Sequence, residues 1–147
     1  ADLYDNPGAA VATLGTPVDD ERQVLDEHVV KVVRDAAGFA LYFSRAAIPW
    51  RRGVFSRSPL EAGAGDGMLR HIGLYAYRPD FLAEYARLEP TPLEQAESLE
   101  QLRVLEHGYR IAVAVVPAEQ HATGIDTPEQ YAAFVRRWRA AHGDVAD

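Results

Sequence analysis

The chain has 147 residues, 48% of them hydrophobic, no cysteine and a formal net charge of −7. That length and apolar content suit one domain with a buried core, and they exclude disordered, collagen-like and disulfide-stapled classes. Disulfides, thiol nucleophiles and thiolate metal sites are excluded as well, no apolar run approaches the roughly 20 residues of a membrane span, and the acidic balance argues against broad binding to nucleic-acid phosphates.

Residues 1–6 read as the end of a helix, stopped by Asn6-Pro7-Gly8, and 9–17 read as a strand. An acidic stretch at 19–27 predicts a short exposed helix or turn. Two strands, 29–34 (VVKVVR) and 39–45 (FALYFSR), flank Asp35-Ala36-Ala37-Gly38, a hairpin signal. Residues 46–67, rich in Gly and Pro, predict a long loop. A strand over 69–77 (LRHIGLYAY) leads into a helix from Pro79 to about Leu88. Thr91-Pro92-Leu93-Glu94 then has the form of a capping box and opens one helix over 92–107. The run 110–116 (RIAVAVV) predicts a central strand covered on both faces. After a loop at 117–125, Thr127-Pro128-Glu129-Gln130 opens a last helix. Its Tyr131, Phe134, Val135 and Trp138 form the stripe of a packed amphipathic helix. Interleaved strands and helices make the class α/β with a mixed sheet.

Several positions interrupt this pattern. Asp126 follows the strand at 110–116. It is either helix-start chemistry or one ligand of a hard cation such as Mg²⁺, which needs a second carboxylate from elsewhere. His71 and Tyr75 share a strand face with Leu69 and Tyr77. Gly73 between them leaves a notch that suits either close packing or a hydroxylated ligand. Glu100, beside Gln101, falls on an apolar helical arc, where a carboxylate needs a ligand or a partner such as Arg103. Arg45 ends a strand face shared with Phe39, Leu41 and Phe43 and offers a guanidinium fork. Lys31, the one lysine beside 14 arginines, is placed similarly, and either cation could reach solvent along its stem. Arg136, Arg137 and Arg139 read as a solvated helix face. His28, His107, His121 and His142 lack zinc-type spacing, and no phosphate loop, serine elbow or dinucleotide fingerprint occurs.

Four blocks keep a familiar order and spacing: VVKVVRDAAGFALYFSRAAIPWRR (29–52), RHIGLYAYR (70–78), PTPLEQAESLEQLRVLEHGYRIAVAV (90–115) and TGIDTPEQY (123–131). Together they resemble the 3-deoxy-manno-octulosonate cytidylyltransferase (CMP-Kdo synthetase) family of lipopolysaccharide biosynthesis, over essentially all of the chain from Ala10. The resemblance implies an α/β fold, the C-terminal part of a Rossmann-like nucleotide-diphospho-sugar transferase fold with a mixed sheet flanked by helices. It implies a cytoplasmic homodimeric enzyme that transfers CMP from CTP to Kdo with Mg²⁺. Arg45, His71, Tyr75, Glu100 and Gln101 would hold Kdo, and Asp126 would hold the metal.

The family's arginine- and lysine-bearing phosphate loop and its Gln-Gly-Asp-Glu-Pro block are not found in these residues. Residues 1–147 are therefore expected to be a single partial domain, the sugar-binding, metal-aspartate and dimerisation half without the N-terminal nucleotide-binding half, and inactive alone. The sole methionine, Met68, agrees with further residues upstream. A non-catalytic sugar-acid-binding or dimerisation module is one alternative. A related nucleotidyltransferase for another sugar acid is the other.

Overall fold

A computed structural model of the chain describes residues 6–20, 22–53, 67–117 and 128–142. Its strands are β1 (Val11–Pro17), β2 (Lys31–Arg34), β3 (Ala40–Ser44), β4 (Leu69–Tyr77) and β5 (Ile111–Val115). The helices are α1 (Arg22–Leu25), α2 (Pro79–Tyr85), α3 (Pro92–Glu97), α4 (Gln101–Glu106) and α5 (Pro128–His142). One sheet has the order β3-β2-β4-β1-β5. β1 runs parallel to β5 and antiparallel to β4, while β2 is antiparallel to both β3 and β4. The mixed sheet and the 29–45 hairpin are as the sequence predicts.

Val11, Val32, Phe43, Leu69, Ile111 and Val113 from the strands bury against Phe81 of α2 and against Leu99, Leu102 and Val104. The alternating apolar positions of each strand thus find the helices that cover them.

Three expectations about β5, the hairpin and the last helix need correction. β5 is not central: among the described residues it ends the sheet order. Its apolar run is nonetheless accounted for, because the β2–β3 turn folds over its outer edge. Phe39 bridges Ala112, and the Val113 N–H donates to the Gly38 carbonyl at 2.8 Å. On the hairpin, a register shift between Val33 and Arg34 leaves Leu41 as an extra residue on β3. Leu41 is 62% exposed whereas Phe39 and Phe43 are buried, so simple alternation fails there. Finally, the stripe on α5 is only partly covered, with Tyr131 59% exposed and Trp138 39% exposed.

Lys31 is the largest departure. It does not reach solvent; it is fully buried. Its ammonium donates to the carbonyls of Asp26 (2.8 Å), Val29 (2.6 Å) and Arg45 (2.7 Å). Three donors meet three acceptors, which is the arrangement that makes a buried ammonium tolerable. Burial lowers its pKa, while the charges of Asp26 and Glu97 act in the opposite direction. One side chain thereby ties the turn before β2 to the end of β3.

Replacing Lys31 with Met is expected to cost about 3 kcal/mol or more, because three carbonyls lose their donor together. Lys31→Arg should not restore stability, since a planar fork cannot reproduce a tripod. Urea unfolding of the two variants checks both statements.

Candidate functional site

The site grows from the place where the helix expected over 92–107 breaks. α3 stops at Glu97, Ser98 adopts a left-handed conformation (φ 52°, ψ 51°), and α4 begins at Gln101. An uninterrupted helix would use the carbonyls of Glu97 and Ser98 for the N–H groups four residues on. Here Arg45 takes them instead. Its Nε donates to the Glu97 carbonyl at 2.7 Å and its Nη2 to the Ser98 carbonyl at 3.2 Å, while Nη1 reaches the Glu27 carbonyl at 2.9 Å. The Leu99 N–H turns back to the Glu94 carbonyl, as in a helix C-cap.

The Glu97 side chain holds the other side of the same junction. It accepts hydrogen bonds from the Ser44 hydroxyl (2.6 Å), the Arg45 backbone N–H (3.0 Å) and the Tyr42 hydroxyl (3.4 Å). Burial disfavours its charge, but these donors outweigh burial and hold its pKa below the usual carboxylate range.

This break changes what Glu100 is. It is not on an apolar arc but exposed, at the N-cap of α4. The buried carboxylate of the segment is Glu94. It accepts the Thr91 N–H at 3.2 Å and pairs with Arg103, whose Nε lies 2.8 Å from Oε2. Arg103 therefore serves Glu94 and is not the side-chain partner expected for Glu100. Gln101, the next residue, is buried.

His71 and Tyr75 lie together on β4, as expected, with ring centroids 5.3 Å apart. A row of rings extends from them: Phe43 stands edge-on to His71 at 5.0 Å, and Tyr77 lies 6.0 Å from Tyr75. Between the two residues β4 carries an irregularity. Thr13 pairs with Tyr75 but Leu14 pairs with Ile72, so Gly73 and Leu74 are extra. Two extra residues keep the parity of the strand, which is why His71 and Tyr75 still share a face. Among the described residues a Cβ at Gly73 would meet nothing within 4 Å, so none of them needs this glycine as a notch.

Burial depresses the pKa of His71 to about 4. Burial likewise raises the Tyr75 hydroxyl above its usual range, helped by Tyr77, Tyr85 and the negative charge of Glu100. That charge is also felt by Tyr77 and Tyr85. At neutral pH His71 is uncharged and Tyr75 protonated. The pair can orient hydroxyl groups by hydrogen bonding, but it brings no charge of its own.

Four of the expected site residues therefore lie around the aromatic row and the start of α4: His71, Tyr75, Glu100 and Gln101. Arg45 secures the turn just before them. Asp126 lies outside the described residues. Among the described residues, no group of three or more His, Cys, Asp or Glu side chains could hold a metal ion. Pattern reading overlooked Thr13 and Glu97. Their signal was weak: a threonine inside an otherwise apolar strand, and an acid on a helix whose break was not evident. A cavity of about 310 Å³ beside the β2–β3 turn, lined in part by Asn6, Arg34 and Val113, includes none of these residues.

Comparison with known proteins places this geometry in a family. A family model described as cytidylyltransferase matches residues 1–111. The 3-deoxy-manno-octulosonate cytidylyltransferase of Xanthomonas campestris pv. campestris (strain 8004) is 56% identical over 129 residues, covering 88% of this chain and 51% of that protein. Its namesake from Idiomarina loihiensis is 51% identical over 142 residues, covering 97% of this chain and 54% of that protein. A solved structure of CMP:2-keto-3-deoxy-manno-octonic acid synthetase complexed with CTP superposes with a TM-score of 0.78 at 37% identity, covering 95% of this chain and 52% of that one. The chain thus spans about half the length of the curated relatives it matches.

His71 generates a pH prediction. Its pKa is lower folded (about 4) than unfolded (about 6.5), so the unfolded state binds more protons between these values. Stability should be complete above about pH 6.5 and fall as the pH drops toward 4, by up to about 3 kcal/mol. In His71→Gln that part of the pH profile should flatten, as read from unfolding midpoints across this range.

Proposed function

The chain belongs to the cytidylyltransferase family, and on that footing we propose that it serves the transfer of CMP from CTP to Kdo, with release of pyrophosphate. The observation that carries this reading is the gathering of His71, Tyr75, Glu100 and Gln101 beside a turn held by Arg45. The relatives' names support the choice of sugar and nucleotide.

In the reaction the anomeric hydroxyl of Kdo attacks the α-phosphorus of CTP. A new P–O bond forms, the bond to pyrophosphate breaks, and the hydroxyl proton is released. Neutral His71 and protonated Tyr75 orient the sugar hydroxyls. The Gln101 amide can donate and accept, and the exposed Glu100 accepts from further hydroxyls. Arg45 spends one N–H of each guanidinium nitrogen on carbonyls, yet keeps its full charge to attract an acidic sugar. Catalysis by these residues would be positioning, with no covalent role for any of them.

Mg²⁺, with Asp126 as one ligand, belongs to the same proposal and rests on the resemblance and on the preference of a hard cation for carboxylate oxygens. When bound, the ion would neutralise charge developing on the phosphates. The described residues do not by themselves form such a site. Nucleotide contacts are proposed to come from the part of the relatives' length that the match does not span. A homodimeric assembly and a cytoplasmic setting complete the proposal; no helix among the described residues is long and apolar enough to cross a membrane.

Two outcomes are expected of the full encoded protein. Asp126→Ala should abolish CTP- and Kdo-dependent pyrophosphate release with no change in melting temperature. Gln101→Ala should raise the KM for Kdo by about tenfold or more and leave the KM for CTP unchanged, as expected for a lost buried hydrogen-bonding group. A substrate panel in which another sugar acid is clearly preferred would replace Kdo in this reading, and Kdo binding without turnover would favour a non-catalytic module.

A further inference from the structure

The Thr13 hydroxyl sits at the irregularity of β4 with three neighbours. It lies 3.0 Å from His71 Nε2, 3.1 Å from the Ile72 carbonyl and 2.9 Å from the Leu74 carbonyl. Thr13 itself is buried. A hydroxyl has one hydrogen to donate and two lone pairs with which to accept. If Nε2 carried a lone pair, three acceptors would compete for that single hydrogen, and two would face the lone pairs of the hydroxyl oxygen. If Nε2 carries the proton, it donates to Oγ1, and the hydroxyl donates to one of the carbonyls, the nearer being that of Leu74. The second arrangement leaves one carbonyl facing a lone pair of the hydroxyl, where the first leaves two acceptors so opposed.

We infer that Thr13 is a positioning residue for His71: it fixes the imidazole in the Nε2–H tautomer and thereby leaves Nδ1 as the acceptor presented to a sugar hydroxyl. The tautomer is settled by groups within the chain, and only the identity of the ligand rests on the cytidylyltransferase reading. Nδ1 has no partner among the described residues, so its lone pair is available. The same contact links the ring to the strand irregularity. The Leu74 carbonyl, next to Gly73, and the ring of His71 are both oriented by one hydroxyl. A neutral ring with a defined donor side and a defined acceptor side discriminates between hydroxyl orientations, which a freely tautomerising ring does not.

The test is a long-range ¹H–¹⁵N correlation spectrum of the histidine side chains in the full encoded protein, at neutral pH and without substrate. The native protein and Thr13→Ser should both show His71 with Nε2 protonated and its N–H protected from exchange. Thr13→Val, nearly isosteric but unable to accept, should lose that protection. Its KM for the sugar acid should rise about three- to tenfold with kcat little changed, the scale of one hydrogen bond. An Nδ1–H tautomer in the native protein overturns the inference, and so does a protected Nε2–H that survives in Thr13→Val. An unchanged KM in a Thr13→Val protein that has lost the protected signal overturns it as well. Because the spectrum needs no substrate, a failure to find cytidylyl transfer would count against the proposed function while leaving the tautomer to be decided on its own result.

Discussion

A single buried ammonium organises this chain. Lys31 cannot be solvated where it lies, so three carbonyls must converge on it, and those of Asp26, Val29 and Arg45 do so. Satisfying the charge therefore fixes the path of the backbone before β2 and at the end of β3 together. Arg45, whose carbonyl is held from one side, has its N–H held from the other by Glu97. Its guanidinium is then delivered to the C-terminal carbonyls of α3. The sequence Lys31, Arg45, Glu97 is one continuous set of charge-assisted hydrogen bonds, of the kind that are strong because an ionised partner is removed from water.

The functional consequence is the place where α3 stops. If Arg45 did not take the carbonyls of Glu97 and Ser98, a helix through 92–107 could use them and would turn Glu100 and Gln101 to other faces. With the break, Glu100 stands exposed at the start of α4 and contributes its charge to the aromatic row, while Gln101 is buried. Arg45 thus acts on the site by shaping its border as much as by its charge. Glu94 and Arg103 tie the same two helices together by pairing with each other, which leaves Glu100 without an ion pair to Arg103.

The electrostatic character of the site follows from burial. His71 is held neutral, and Tyr75 keeps its proton well above neutral pH. Under the proposed function these groups would recognise hydroxyls through direction and not through charge, which suits a polyol, and an acid group on the same ligand would find its counter-charge in Arg45 or beyond the described residues. Thr13 extends this logic one layer inward, since a neutral imidazole is only as selective as its tautomer is defined.

Much of this was legible in the sequence, and the parts that were not share a cause. Strand and helix positions followed from period-two alternation, apolar runs and Pro or Gly punctuation, because those signals arise from neighbours in the chain. The pairing of His71 with Tyr75 on one face was legible for the same reason, and the four ordered blocks, 29–52, 70–78, 90–115 and 123–131, indicated the family. Tertiary structure alone decided the break at Ser98, the burial of Lys31, the exposure of Leu41 and the partner of Arg103. In each of these the deciding group comes from another element: Arg45 acts on carbonyls more than fifty residues away, and the three acceptors of Lys31 come from two separate turns. Local periodicity cannot register a hydrogen bond that exists only after the sheet has brought its two ends together.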